Sequence, residues 1–160
     1  MSTASASPAD IAELTELLGR TPRADFEIVV RTPVGAPVVI RNAPLLHDGT
    51  PMPTRYWLVD RALSEAVARV ESRGGVRAAE AGVDADALRA THDAYARERD
   101  AALPPGHVGA RPTGGVGGTR VGVKCLHAHL ANLLAGNEDP VGRWVRAELD
   151  ADAAAGNASS

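Results

Sequence analysis

The β-prone runs of this chain all lie before residue 60, and the apolar positions after that point recur at helical spacing. Residues 26–32 (Phe-Glu-Ile-Val-Val-Arg-Thr) and 37–41 (Pro-Val-Val-Ile-Arg) are rich in β-branched side chains. The intervening Pro33-Val-Gly-Ala suits a hairpin connection. Residues 55–59 (Arg-Tyr-Trp-Leu-Val) form a third run, reached through a loop that Pro44, Gly49, Pro51 and Pro53 keep irregular. Strands collected at one end of a chain and helices at the other point to an α+β fold. The expectation is a small antiparallel sheet of about three strands, near 26–32, 37–41 and 55–59, packed with about five helices.

Helical spacing appears first in residues 8–18, where Ile11, Leu14, Leu17 and Leu18 form a stripe ended by Gly19. After Asp60, a helix-capping type, Leu63, Val67 and Val70 repeat up to Gly74-Gly75. A short helical piece is expected near residues 77–81. A longer helix opens at Asp84 or Asp86 and runs to about residue 102, where Pro104-Pro105-Gly106 stops it. Residues 123–135 read as another helix, closed by Gly136 or Asn137. Asp139-Pro140 caps a last helix to about residue 149. Residues 1–7 are expected to be disordered, 8–149 to form one domain, and 150–160 a flexible tail.

At 160 residues with 44% hydrophobic content, such a domain can bury a core without staples. With aromatics at 3%, that core has to be built from Leu, Val, Ile and Ala. A formal charge of −3 exerts no general pull on nucleic acid or anionic membrane. No apolar run reaches the ~18 residues of a membrane helix, so neither partner class is expected. A single cysteine and a start without a basic, apolar leader make the cytoplasm the expected location.

Chemistry concentrates in residues 111–131. This stretch holds the only cysteine, Cys125, beside the only lysine, Lys124, with His127 and His129 following. It lies inside a window without carboxylates that runs from Ala101 to Asn137. A helix beginning near Val123 would present free backbone N–H groups and the positive end of its dipole. The preceding loop carries Gly114, Gly115, Gly117, Gly118 and Gly122, which let backbone approach a ligand. Arg111, Arg120 and Lys124 add positive charge, and Arg20 and Arg31 near the strands are further candidates. These are the ingredients of an anion site for phosphate, nucleotide, phosphorylated metabolite or carboxylate. The segment is not a P-loop, because no glycine precedes Lys124 and Cys125 follows it.

Cys125 admits burial, thiolate chemistry or metal ligation. In a helix, Cys125 and His129 share a face and His127 points away, whereas an extended segment would put all three on one face; no bound metal is expected, and Cys125 and His129 are the candidates should one bind. Catalytic candidates are Cys125, His127 and His92. His92, Tyr95 and Arg99 form one polar stripe, either a second wall to the site or, as expected more readily, a solvated face.

Several segments together resemble a bacterial, largely actinobacterial family known as domain of unknown function 501. They are Gly49-Thr-Pro-Met-Pro-Thr54 with Tyr56-Trp-Leu58, Arg69-Val-Glu71 with Gly74, His92-Asp-Ala-Tyr95, and Val123-Lys-Cys-Leu-His127. The resemblance spans roughly residues 18–145 and implies no activity or cofactor. Association of its genes with division and polyphosphate functions implies a possible protein partner in division or the envelope. Some relatives carry cysteine in place of Thr32 and histidine in place of Asn132, so a metal site built on those positions would not be intact here. Three functions are therefore carried forward: a small-anion site, a non-catalytic interaction module, and a Cys/His thiolate or metal site.

Overall fold

The computed structural model describes residues 6–159. Strands β1 (Ala24–Arg31), β2 (Pro37–Leu46) and β3 (Tyr56–Leu58) form one antiparallel sheet in that order. Among the described residues six α-helices pack around it: α1 (Pro8–Leu18), α2 (Arg61–Ser72), α3 (Gly75–Gly82), α4 (Ala85–Ala101), α5 (Leu126–Leu134) and α6 (Pro140–Ala158). The α+β expectation holds, with one helix more than the count of about five.

Strand β2 is the middle strand, so both its edges are paired, and both its faces pack against apolar side chains. Val39 turns into the main core with Leu58, Val67, Val70, Leu126, Leu130, Val141 and Val145. Ile40, its neighbour on the opposite face, packs with Leu14, Phe26 and Val59 beneath α1. This alternation makes a three-layer arrangement, α1 on one face and the remaining core on the other.

The ends depart from the sequence expectation. Residues 1–5 lie outside the described residues, but Ser7 is the N-cap of α1 in a reciprocal capping box with Asp10. Ala6 N–H bonds to the Phe26 carbonyl at 3.1 Å, so order begins before residue 8. At the other end α6 continues to Ala158 instead of stopping near residue 149. Alanine favours helix through this segment, and Arg73 at the end of α2 holds Glu148 at 2.9 Å and Asp152 at 2.8 Å. Among the described residues no helix is long and apolar enough to cross a membrane.

The polar stripe of α4 is buried, contrary to the solvated face expected of it. Tyr95 Oη accepts the backbone N–H groups of Arg55 at 2.6 Å and Tyr56 at 3.2 Å. Burial pushes that phenol up to about 12. His92 receives the Val116 N–H on Nδ1 at 3.1 Å and donates Nε2–H to the Gly122 carbonyl at 2.8 Å. Burial holds its pKa below the ordinary histidine value, which keeps the ring neutral. Arg99, 1% exposed, donates to the carbonyls of Pro53 and Gly114. The stripe therefore ties β3 and the Gly-rich loop to one helix.

Candidate functional site

The loop held by α4 forms one lip of a cleft of about 820 Å³. Its other lip is residues 51–58, and its floor is the start of α5. Arg20, Arg111 and Lys124 line it beside Gly117, Gly118, Cys125 and His127, with Met52, Tyr56 and Trp57 supplying apolar wall. Arg20 lies over the Trp57 ring, 5.6 Å from its centroid, which orients the guanidinium without neutralising it. No aspartate or glutamate lines the cleft. Among the described residues, none of the three cations forms an ion pair with a carboxylate.

The 3-10 turn Val116–Gly118 brings the loop against the cysteine. A side chain at Gly117 would place its Cβ 3.4 Å from Cys125 Cβ, in a backbone with φ of 68°. Glycine is therefore required for the conformation, the contact itself being one that a methyl group could make.

Helix α5 begins at Leu126, three residues later than the sequence spacing indicates, and Cys125 is its N-cap in an extended conformation (φ −145°, ψ 115°). That shift changes which side chains meet. An extended residue followed by the first helical turn returns the side chain of His127 toward Cys125. One sulfur, one ring nitrogen and one carboxylate oxygen, from Cys125, His127 and Glu71, lie within 4.8 Å of one another. His129, the partner expected for Cys125, instead turns into the core, where its Nδ1 donates to both Asp139 oxygens at 2.9 Å. Its Nε2 has no hydrogen-bond partner among the described residues, and the ring packs edge-on against His92 with centroids 5.7 Å apart.

Glu71 is the group the sequence argument lacked. Its Oε1 accepts the Leu126 N–H at 2.9 Å and stands 3.1 Å from His127 Nδ1. The other ring nitrogen, Nε2, donates to the Ser64 carbonyl at 2.9 Å. The first free donor of α5 is thus already satisfied by a carboxylate of the protein itself. Val123 N–H is likewise taken by Glu80 at 2.8 Å. The helix pole is consequently not an open anion receptor, and the positive character of the cleft comes from side chains.

Apposition with Cys125 favours the charged ring of His127, outweighing burial, and with the Ser64 carbonyl and Glu71 carries its pKa to about 9. Burial pushes the Cys125 thiol up, but the His127 ring and the Ala128 N–H more than offset it, leaving its pKa below the ordinary value.

Of the sequence candidates, Arg20, Arg111, Gly117, Gly118, Lys124, Cys125 and His127 converge on the cleft. Arg31 does not line it: the guanidinium bonds to Asp10 at 3.0 Å and the Gly35 carbonyl at 2.8 Å, at the hairpin end. Arg120 is exposed outside the cleft, and His92 is a buried loop tether that does not line it. Thr32 and Asn132 do not join the cysteine cluster either. Thr32 accepts the Ala36 N–H in the hairpin and Asn132 donates to Asp139. Glu71 carries two faint signals, its place in the Arg69-Val-Glu71 segment of the family resemblance and its position beside the Val67 and Val70 stripe of α2.

A family model described as a protein of unknown function, DUF501, matches residues 28–147. No curated protein matches the chain. No solved structure matches it.

Proposed function

As the chain belongs to the DUF501 family, whose function is unknown, we propose from the site itself that the cleft binds a small anionic molecule carrying a phosphoryl or carboxylate group. One observation carries the reading: Arg20, Arg111 and Lys124 share a cleft that no acidic side chain lines. In a concave, partly apolar site such charges act through a lower dielectric than at an open surface, so each attracts an anion more strongly. The guanidinium forks of Arg20 and Arg111 can grip phosphate or carboxylate oxygens bidentately, while Lys124 supplies a point charge. The flat wall of Trp57 and Tyr56, and a volume of about 820 Å³, accommodate an organic portion attached to the anion.

The test is to titrate inorganic phosphate, polyphosphate, nucleotides and small dicarboxylates against the thermal midpoint, since a ligand selective for the native state raises it. The expected result is a saturable rise with at least one of these classes, lost in Arg111→Ala and Lys124→Ala and retained in Arg120→Ala. A chain whose midpoint responds to none of them, or responds equally in all three variants, does not have this function.

A further inference from the structure

We propose that Glu71, Cys125 and His127 form a site for a divalent transition metal of the zinc type, with a fourth coordination position open to the cleft. The inference rests on the donor set and goes beyond the anion reading, which can fail without it.

Zinc is held by thiolate sulfur at about 2.3 Å, imidazole nitrogen at about 2.0–2.1 Å and carboxylate oxygen at about 2.0–2.2 Å. This cluster offers one of each, with all three atoms inside 4.8 Å of one another. Two light-atom ligands at a tetrahedral angle around such an ion are about 3.3 Å apart. His127 Nδ1 and Glu71 Oε1 are 3.1 Å apart, so admitting the ion requires only a small opening of this pair.

The supporting contacts are those a metal ligand needs. A ligating histidine ordinarily donates its other ring N–H to a carbonyl or carboxylate, which fixes the ring and its tautomer. Here Nε2 donates to the Ser64 carbonyl at 2.9 Å, leaving Nδ1 toward Glu71 and Cys125. Glu71 is itself fixed by the Leu126 N–H at 2.9 Å. The elements α2 and the α5 N-cap, not the mobile end of a long side chain, therefore set the separation.

Two properties select the class of ion. Thiolate with imidazole favours zinc and its neighbours over magnesium or calcium, which require oxygen donors. Three protein ligands also match the open type of zinc site, in which water or substrate fills the fourth position, rather than the closed structural type. Cys125 and His127 line the cleft and Glu71 does not, so the vacant position faces the cleft.

The probe is cobalt(II), titrated into the full chain after chelator treatment, with zinc added afterward as competitor. One equivalent of cobalt is expected to produce a thiolate-to-cobalt charge-transfer band and tetrahedral visible bands, both abolished by excess zinc. Cys125→Ser should lose the charge-transfer band. Glu71→Gln and His127→Gln should each weaken metal binding by more than the roughly 10–100-fold that losing a ligand's outer partner costs. Arg111→Ala should bind cobalt normally while losing the phosphate response, so failure of one reading is separable from failure of the other. No thiolate–cobalt band in protein shown folded by circular dichroism would overturn the proposal. An undiminished band in both Glu71→Gln and His127→Gln would overturn it as well, by exposing a lone thiolate.

Discussion

Arg99 Nη1 donates to the Gly114 carbonyl at 2.9 Å, and the same nitrogen reaches the Pro53 carbonyl at 3.1 Å. Those two carbonyls belong to opposite lips of the cleft. One buried guanidinium on α4 thus sets the distance across which any ligand must fit. The lips are coupled to the helix, and the helix to the core, through a cation that water does not reach.

Arg99→Met should therefore damage both stability and the cleft. Volume is nearly kept, but two carbonyls lose a charged donor, which costs on the order of 3 kcal/mol. Urea denaturation should show a lower midpoint, and amide hydrogen exchange should accelerate around Gly114, Gly115 and Gly118. An unchanged midpoint with unchanged exchange would remove Arg99 as the tether.

Acid should weaken the fold through His92. Facing its ring are the Val116 N–H, the Gly122 carbonyl, the His129 ring, Asp139 and Asp93. Burial lowers the folded-state pKa, while the unfolded ring titrates near 6.5. As pH falls below about 6.5 the unfolded chain binds the proton more readily, so stability present at neutral pH is progressively lost. Denaturant midpoints measured at several pH values should fall on acidification. His92→Gln, which keeps an acceptor and a donor, should show a shallower slope, and an identical slope in the variant would count against this origin.

Asp139 should be among the most costly residues to remove. It is fully buried, caps α6 through the Gly142 N–H at 2.9 Å, and receives His129 and Asn132. Asp139→Ala leaves these donors without an acceptor and is expected to cost about 3–5 kcal/mol. Scanning calorimetry checks this, and a loss below about 1 kcal/mol would mean that water replaces the carboxylate.

The two loop glycines should separate sterically. At Gly115 an added Cβ would stand 2.6 Å from both Cβ and Nδ1 of buried His92, so Gly115→Ala must push the loop off α4. At Gly117 the nearest atom is 3.4 Å away and the main cost is its φ of 68°. Gly117→Ala should cost about 1 kcal/mol and Gly115→Ala distinctly more, as thermal melts can rank. The reverse order would contradict the packing of the loop against His92.

The strands and helices were legible because each carries a local signature. Leu63, Val67 and Val70 repeat at helical spacing, and Asp60, Asp84 and Asp139 each cap the helix that follows them. The convergence of Arg111, Lys124 and Cys125 was legible for the same reason, being local to one stretch. What the sequence hides is the partner from elsewhere. Glu71 belongs to an ordinary amphipathic helix, and nothing near it indicates that it will face Leu126 and His127. Two further departures from the sequence expectation have local causes. Reading α5 from Val123 paired Cys125 with His129, whereas a start at Leu126 pairs it with His127. The α4 stripe looked solvated because His92 and Arg99 are polar, yet the turns of the glycine loop and the residues before β3 needed donors and acceptors that only such side chains provide.

The reach of Glu71 to the start of α5 bridges 55 residues of chain. No short peptide copied from the Lys-Cys-Leu-His region can reproduce the chemistry of the intact protein, because half of its environment is imported from α2. Whatever happens at that cysteine is therefore conditional on the whole chain having closed. The three-atom cluster around the thiol exists only while α2 stays docked on α5.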